Sequence, residues 1–232
     1  MMYYYYYDPT YILIIIGFAI TLIASFRVKH TYKKYSRVAS RTGLTGAQAA
    51  DRILRNSGIY DVRIEHISGS LTDHYDPRSK TLRLSDSVYP SRSVAALGVA
   101  AHECGHALQH ERGYVPLTLR TALVPVANFG TNASWFVIII GIVLSYNTFL
   151  INIGILLFCL GVLFQLVTLP VEFNASKRGL RLLSDTGILY DAEVRQTRKV
   201  LSAAAMTYVA AAAASILSLL RLLLLFGGRR RD

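Results

Sequence analysis

The chain has 232 residues, of which 53% are hydrophobic and only 17% charged, with a formal net charge of +11 and a mean hydropathy of +0.36. Those figures exclude an ordinary soluble domain and point to a protein that shares its surface with lipid. The basic residues adjoin apolar stretches instead of forming a separate basic module, so the charge reads as a topology determinant facing anionic headgroups and argues against a nucleic-acid partner.

In chain order, residues 9–26 carry no charge and are dominated by Ile, Leu, Phe and Ala, about enough to cross the hydrocarbon core at ~1.5 Å per residue. The run Tyr3–Tyr7 and Asp8 before it, and Phe26-Arg27 after it, lack the positively charged start and small-residue end of a cleaved signal peptide. Residues 1–26 are therefore expected to be an N-terminal anchor with an interfacial tyrosine belt. Six cations follow, Arg27, Lys29, Lys33, Lys34, Arg37 and Arg41, with no acid before Asp51; the positive-inside rule puts that side in the cytoplasm.

Residues 27–120 read as a cytoplasmic α+β module. Thr45 and Gln48 form a capping box before a short amphipathic helix that Gly58 closes. Val62, Ile64 and His66 alternate, and Leu71–Ser85, turning at Asp76-Pro77-Arg78-Ser79, is expected to be a hairpin. Ser91 is the expected cap of a helix over about 92–111, with Gly113 beyond it. From Thr121 to Val171 there is no charged residue, which suits a transmembrane hairpin broken at Ser145-Tyr146-Asn147-Thr148 with its tip outside. Residues 172–199 return to charge and are expected to be a cytoplasmic helix. The apolar run from 200 is expected to be a fourth span; a tilted or interfacial helix is the alternative that would keep the basic tail Arg229–Arg231 inside.

His102-Glu103-Cys104-Gly105-His106 is a HExxH sequence. On a helix, residues four apart share a face, so both imidazoles converge on one ion. Zinc accepts such nitrogens with a third protein ligand and a fourth position for water, and Glu103 is placed to take that water's proton. With six His and five Glu, chance supplies roughly 0.003 such motifs in a chain of this length. The second cysteine, Cys159, sits in an apolar run, so Cys104 and Cys159 make no disulfide framework, which fits a reducing compartment. Candidates for the third ligand are His110, Glu111, Glu172, Asp185, Asp191 and Glu193. His110 stacks on the same helix as the other two and cannot easily close round the ion. Glu172 re-enters charge beside Pro170 at the membrane surface, where a carboxylate without a partner is costly, and is the favoured ligand.

The runs Asp73-His74-Tyr75-Asp76-Pro77, Leu84-Ser85, Ala100 to Gln109 through the HExxH, and Leu169-Pro170-Val171-Glu172-Phe173-Asn174-Ala175-Ser176 resemble the YugP-type neutral zinc metallopeptidases of bacterial membranes. More remotely the chain is similar to the HtpX and CAAX prenyl protease group. The resemblance implies a gluzincin arrangement, with one Zn2+ per chain on His102, His106 and Glu172. The remoter group carries an Asp four residues after its ligand Glu; Ser176 stands there, a weaker hydrogen-bond partner for a ligand histidine. Peptide bound along a strand edge would meet His74 and Tyr75, and Tyr114, Arg178 and Arg181 are candidates to stabilise an oxyanion.

The expected fold is mainly α: a multi-span membrane protein with a small α+β gluzincin-type zinc peptidase module. The expected function is a zinc metalloendopeptidase of the bacterial plasma membrane, acting on membrane-associated peptide or protein from the cytoplasmic side. Two alternatives are a catalytically inactive zinc-stabilised scaffold and a site-2-type intramembrane protease. No NPDG- or LDG-like segment that would supply the latter's carboxylate ligand is present.

Overall fold

The computed structural model describes residues 8–227; the tyrosine belt at Tyr3–Tyr7 and the tail at Arg229–Arg231 lie outside them. The chain is mainly helical, with helices α1 (Tyr11–Tyr35), α2 (Gly46–Asn56), α3 (Val94–Glu111), α4 (Val115–Val143), α5 (Thr148–Asp185) and α6 (Asp191–Phe226). Strands β1 (Arg63–Ile67), β2 (His74–Asp76) and β3 (Thr81–Ser85) form one sheet in the order β1-β3-β2. Among the described residues four helices, α1, α4, α5 and α6, are long and apolar enough to cross a membrane.

Contacts divide the chain into two compact units, one of residues up to Ile23, Arg120–Val167 and from Tyr208 on, the other of Ala24–Leu119 and Thr168–Thr207. In the first, small residues let helix backbones approach closely. A Cβ at Gly154 would stand 3.0 Å from the Ser134 carbonyl oxygen, and one at Gly17 would stand 3.2 Å from Ala214 Cα. Around these contacts Ile138, Ile151, Ile155, Phe158, Val162 and Leu222 are buried, while Phe18, Phe129, Phe136 and Phe149 are strongly exposed. Apolar rings left on the outside are what a lipid-facing surface requires. The start of α1 and the end of α6 meet: Arg221 Nη2 lies 3.1 Å from Asp8 Oδ2 and its guanidinium sits 4.3 Å from the Tyr11 ring centre.

The second unit is built around α3. Thr45 caps α2 with the complete capping box, and α2 buries Ala49, Ala50, Ile53 and Leu54 into a core shared with Leu82, Leu84, Val94, Leu97 and Ala100. β2 and β3 are antiparallel, with Tyr75 opposite Leu82, whereas β1 runs parallel to β3 with Ile64 opposite Leu82.

Three boundaries differ from the expectation. Ser93, not Ser91, caps α3, its hydroxyl accepting from the Ala96 N–H at 3.2 Å; Ser91 Oγ instead stands 3.1 Å from Ser93 Oγ. No separate helix spans 172–199. α5 continues through Pro170 to Asp185, and the break falls at Thr186–Tyr190, where Gly187 takes a φ of +64° that favours glycine and Glu193 Oε2 accepts from the Tyr190 N–H at 3.0 Å. The first expected span runs on into the basic stretch, since α1 ends at Tyr35.

Candidate metal centre

α3 and α5 lie backbone to backbone. A Cβ at Gly105 would stand 2.4 Å from the Ala175 carbonyl oxygen, and one at Gly179 would stand 2.7 Å from that of Ala101. Contacts that short admit only glycine, so the two residues set how near the helices come. Glu172, Ala175, Ser176 and Gly179 fall at helical spacing along α5, on the face turned to α3. One turn of each helix therefore brings His102, His106 and Glu172 together.

Their ligand atoms all lie within 4.8 Å of one another. Glu172 Oε2 is 3.3 Å from His102 Nε2 and 3.6 Å from His106 Nε2, and the two rings meet edge to face at 4.7 Å between centres. Zinc bonds of about 2.0–2.1 Å at tetrahedral angles separate donor atoms by roughly 3.3 Å, so the two distances from Glu172 to the histidines suit that ion. Glu172 is only 2% exposed, and a carboxylate is costly to hold there without positive charge.

The outer nitrogens of both histidines are engaged. Ser176 Oγ stands 3.0 Å from His102 Nδ1, and Gln109 Oε1 stands 3.0 Å from His106 Nδ1. Gln109 is fully buried, and its Nε2 donates to the Val171 carbonyl at 2.8 Å and to Asn174 Oδ1 at 3.0 Å. A carbonyl can only accept, so the amide orientation is settled and Gln109 Oε1 must accept from His106. His106 then carries its proton on Nδ1 and presents the Nε2 lone pair to the Glu172 carboxylate. Two acceptors facing each other in a buried site need a cation between them. In the metal-free chain a proton can serve: burial opposes charging His106, but the hydrogen bond to Glu172 and the charges of Glu103 and Glu172 outweigh it and raise its pKa. A divalent metal supplies the same charge to all three side chains at once.

Gln109 and Asn174 are the residues that sequence reasoning missed. Gln109, three positions after His106 on a helix that is otherwise buried there, is the signal that was available.

Glu103 is 7% exposed, and among the described residues it makes no hydrogen bond or ion pair. Cys104 faces away from the ligand cluster, with Sγ 3.7 Å from the Ala50 carbonyl, and burial pushes its thiol far above the ordinary range. His110 lies at the exposed end of α3, its Nδ1 2.9 Å from Tyr75 Oη, which ties edge strand β2 to α3. Burial, with help from Asp61, Glu111 and Asp76, pushes the Tyr75 hydroxyl up to about 12. His74 Nδ1 stands 2.9 Å from the Thr72 carbonyl oxygen.

The three oxyanion candidates are not gathered at the ligand cluster. Arg178 Nε donates to Asn174 Oδ1 at 2.7 Å, and its guanidinium lies 5.5 Å from the Tyr114 ring centre. Both therefore connect to His106 through Asn174 and Gln109. Arg181 is exposed and faces Asp185 at 3.9 Å.

A membrane-type helical chain with a His, His, Glu cluster on two closely packed helices suits a zinc peptidase, and residues 10–227 match the family described as "Putative neutral zinc metallopeptidase"; the chain belongs to that family. Among its relatives, the "Putative membrane protease YugP" of Bacillus subtilis (strain 168) is 47% identical over 199 residues, covering 85% of this chain and 88% of the relative. No solved structure is significantly similar to this chain.

Proposed function

We propose that the chain is a zinc-dependent metalloendopeptidase that hydrolyses peptide bonds at the cytoplasmic surface of the bacterial plasma membrane. The observation that carries this reading is the Nε2 lone pair of His106 held against the buried carboxylate of Glu172. His102 and His106 would hold the metal through Nε2, and Glu172 through its carboxylate. Zinc, when bound, lowers the pKa of water and polarises the scissile carbonyl. Glu103, buried beside the ligands and without a partner of its own, takes the proton of the attacking water and returns it to the leaving amine. A purely structural site has no use for that carboxylate, which favours turnover over an inactive scaffold.

Substrate backbone would add as a strand to the free edge of β2, at His74 and Tyr75. Tyr114 and Arg178 connect to His106 from behind, through Asn174 and Gln109, and so serve to position that ligand and not to meet the developing oxyanion; Arg181, exposed beside Asp185, is more remote still. The cytoplasmic placement is supported by the cations at Arg27 to Arg41 after the apolar part of α1, and by those of 177–199. α3 is not among the helices long and apolar enough to cross a membrane, which favours surface cleavage over an intramembrane reaction.

The test is chelator-sensitive cleavage of casein, or of the chain itself, by the detergent-purified protein. Glu103→Ala is expected to lower the rate by about 10²–10⁴-fold with zinc retained. Cleavage that survives both chelator and Glu103→Ala contradicts the mechanism; zinc retained by the wild type with no cleavage of either substrate favours the scaffold.

A further inference from the structure

Beside the ligand-bearing helix runs a cleft of about 1330 Å3, lined along α5 and α6 and by the end of α3. Five cations line it, Arg112, Lys177, Arg178, Arg181 and Arg198, against one acid, Asp185. Asp185 faces Arg181, and among the described residues the other four have no carboxylate partner. Burial and, after it, the positive charge of Arg112 hold the Arg178 guanidinium below its ordinary pKa. Lys and Arg side chains free in solvent would swing apart. Arg178 is instead fixed by Asn174 and the Tyr114 ring, with Nη1 shielded from solvent and without a hydrogen-bond partner. A guanidinium nitrogen held dry and unsatisfied costs stability until an anion meets it.

The lining also has a large apolar share, which includes Phe173, Leu201 and Met206, of which Phe173 and Met206 are exposed. Both α5 and α6 are also candidate membrane spans. An anion alone would make no use of the apolar half, and an acidic peptide would leave exposed rings beside its backbone. A diacyl lipid uses both halves.

We infer that this cleft binds an anionic phospholipid, its phosphate on Arg112, Lys177, Arg178 and Arg198 and its acyl chains against Phe173, Leu201 and Met206. The inference rests on the membrane reading of α5 and α6 and not on peptidase activity. Because Ser176 lines the cleft and also contacts His102, while Arg178 reaches His106 through Asn174 and Gln109, the lipid would sit directly behind the metal ligands.

The test measures transfer of fluorescent phosphatidylglycerol to the detergent-purified full chain, with unlabelled phosphatidylglycerol, phosphatidylcholine, inorganic phosphate and an acidic hexapeptide as competitors. Only unlabelled phosphatidylglycerol is expected to compete fully. The double variant Lys177→Gln/Arg198→Gln is expected to weaken binding roughly tenfold or more, since each cation near an anionic headgroup contributes on the order of a factor of five. Lys33→Gln/Lys34→Gln, basic residues outside the cleft, should leave it unchanged. Equal weakening by both double variants, equal competition by phosphatidylcholine, or full competition by phosphate or peptide overturns the inference. If the Gln pair does not fold, Lys177→Arg/Arg198→Lys, which keeps both charges, must bind like wild type, and the single Arg198→Gln must bind less. The readout needs neither zinc nor turnover, so its failure leaves the peptidase reading standing.

Discussion

Gln109 decides which nitrogen of His106 is free, and the decision is made by a carbonyl 62 residues away. Replacing it with Leu removes the acceptor for Nδ1–H and leaves the Val171 carbonyl without its donor. Partners of this kind behind a ligand histidine are worth about 10–100-fold in metal affinity. Gln109→Leu is therefore expected to weaken zinc binding by that factor, measured by competition with a chromogenic chelator, and to regain much of its cleavage rate when zinc is raised. A variant that binds zinc as tightly as wild type would remove Gln109 from the site. His102 and His106, which the structure brings together, are legible in sequence because their spacing is local. Glu172 is legible because it is the first charged residue after the uncharged stretch Thr121–Val171. Gln109 and Asn174 are not, because a buried amide announces nothing until its partners on α5 are known.

At the scale of elements, the site depends on how closely α3 and α5 approach. Gly105→Ala puts a methyl group 2.4 Å from the Ala175 carbonyl oxygen, and the helices must separate. Overpacking of this sort costs about 1–3 kcal/mol, and the displacement also carries Glu172 away from the histidines. The expected outcome is a lower Tm together with weaker zinc binding. Thr45→Ala supplies the contrast. It removes the cap of α2 at a cost of about 1 kcal/mol, but α2 contributes no ligand, so zinc affinity should stay at the wild-type value. Differential scanning fluorimetry and metal titration on the two variants check both statements. The capping box and the β2–β3 hairpin could be read from turn and cap residues alone. The unbroken α5 could not, because a proline at 170 is a stop signal in water and is tolerated when neighbouring helices hold the chain on both sides.

For the whole molecule, the contact of Asp8 with Arg221 sets the start of α1 beside the end of α6. If the four apolar helices each cross the bilayer, both ends of the described chain lie on one side and the α4–α5 turn lies there too. A cysteine placed at Tyr146, in a chain lacking Cys104 and Cys159, is expected to react with an impermeant maleimide in intact cells, while one at Lys29 reacts only after lysis. Labelling of position 29 from outside would reverse the topology and contradict the proposed cytoplasmic placement of the site. Charge placement made three of the four spans legible. The last was ambiguous because a basic sequence follows it, which the positive-inside rule would keep in the cytoplasm, and the ion pair between residues 213 positions apart favours a span over an interfacial helix.

The most direct test of the metal centre is the metal content of the purified chain, measured by elemental mass spectrometry on the wild type, Glu172→Ala and Glu103→Ala prepared identically. One zinc per chain is expected in the wild type and in Glu103→Ala, and none in Glu172→Ala. A Glu172→Ala protein that folds and keeps its zinc would show that the ion is held elsewhere and that this cluster is not the centre of the chemistry.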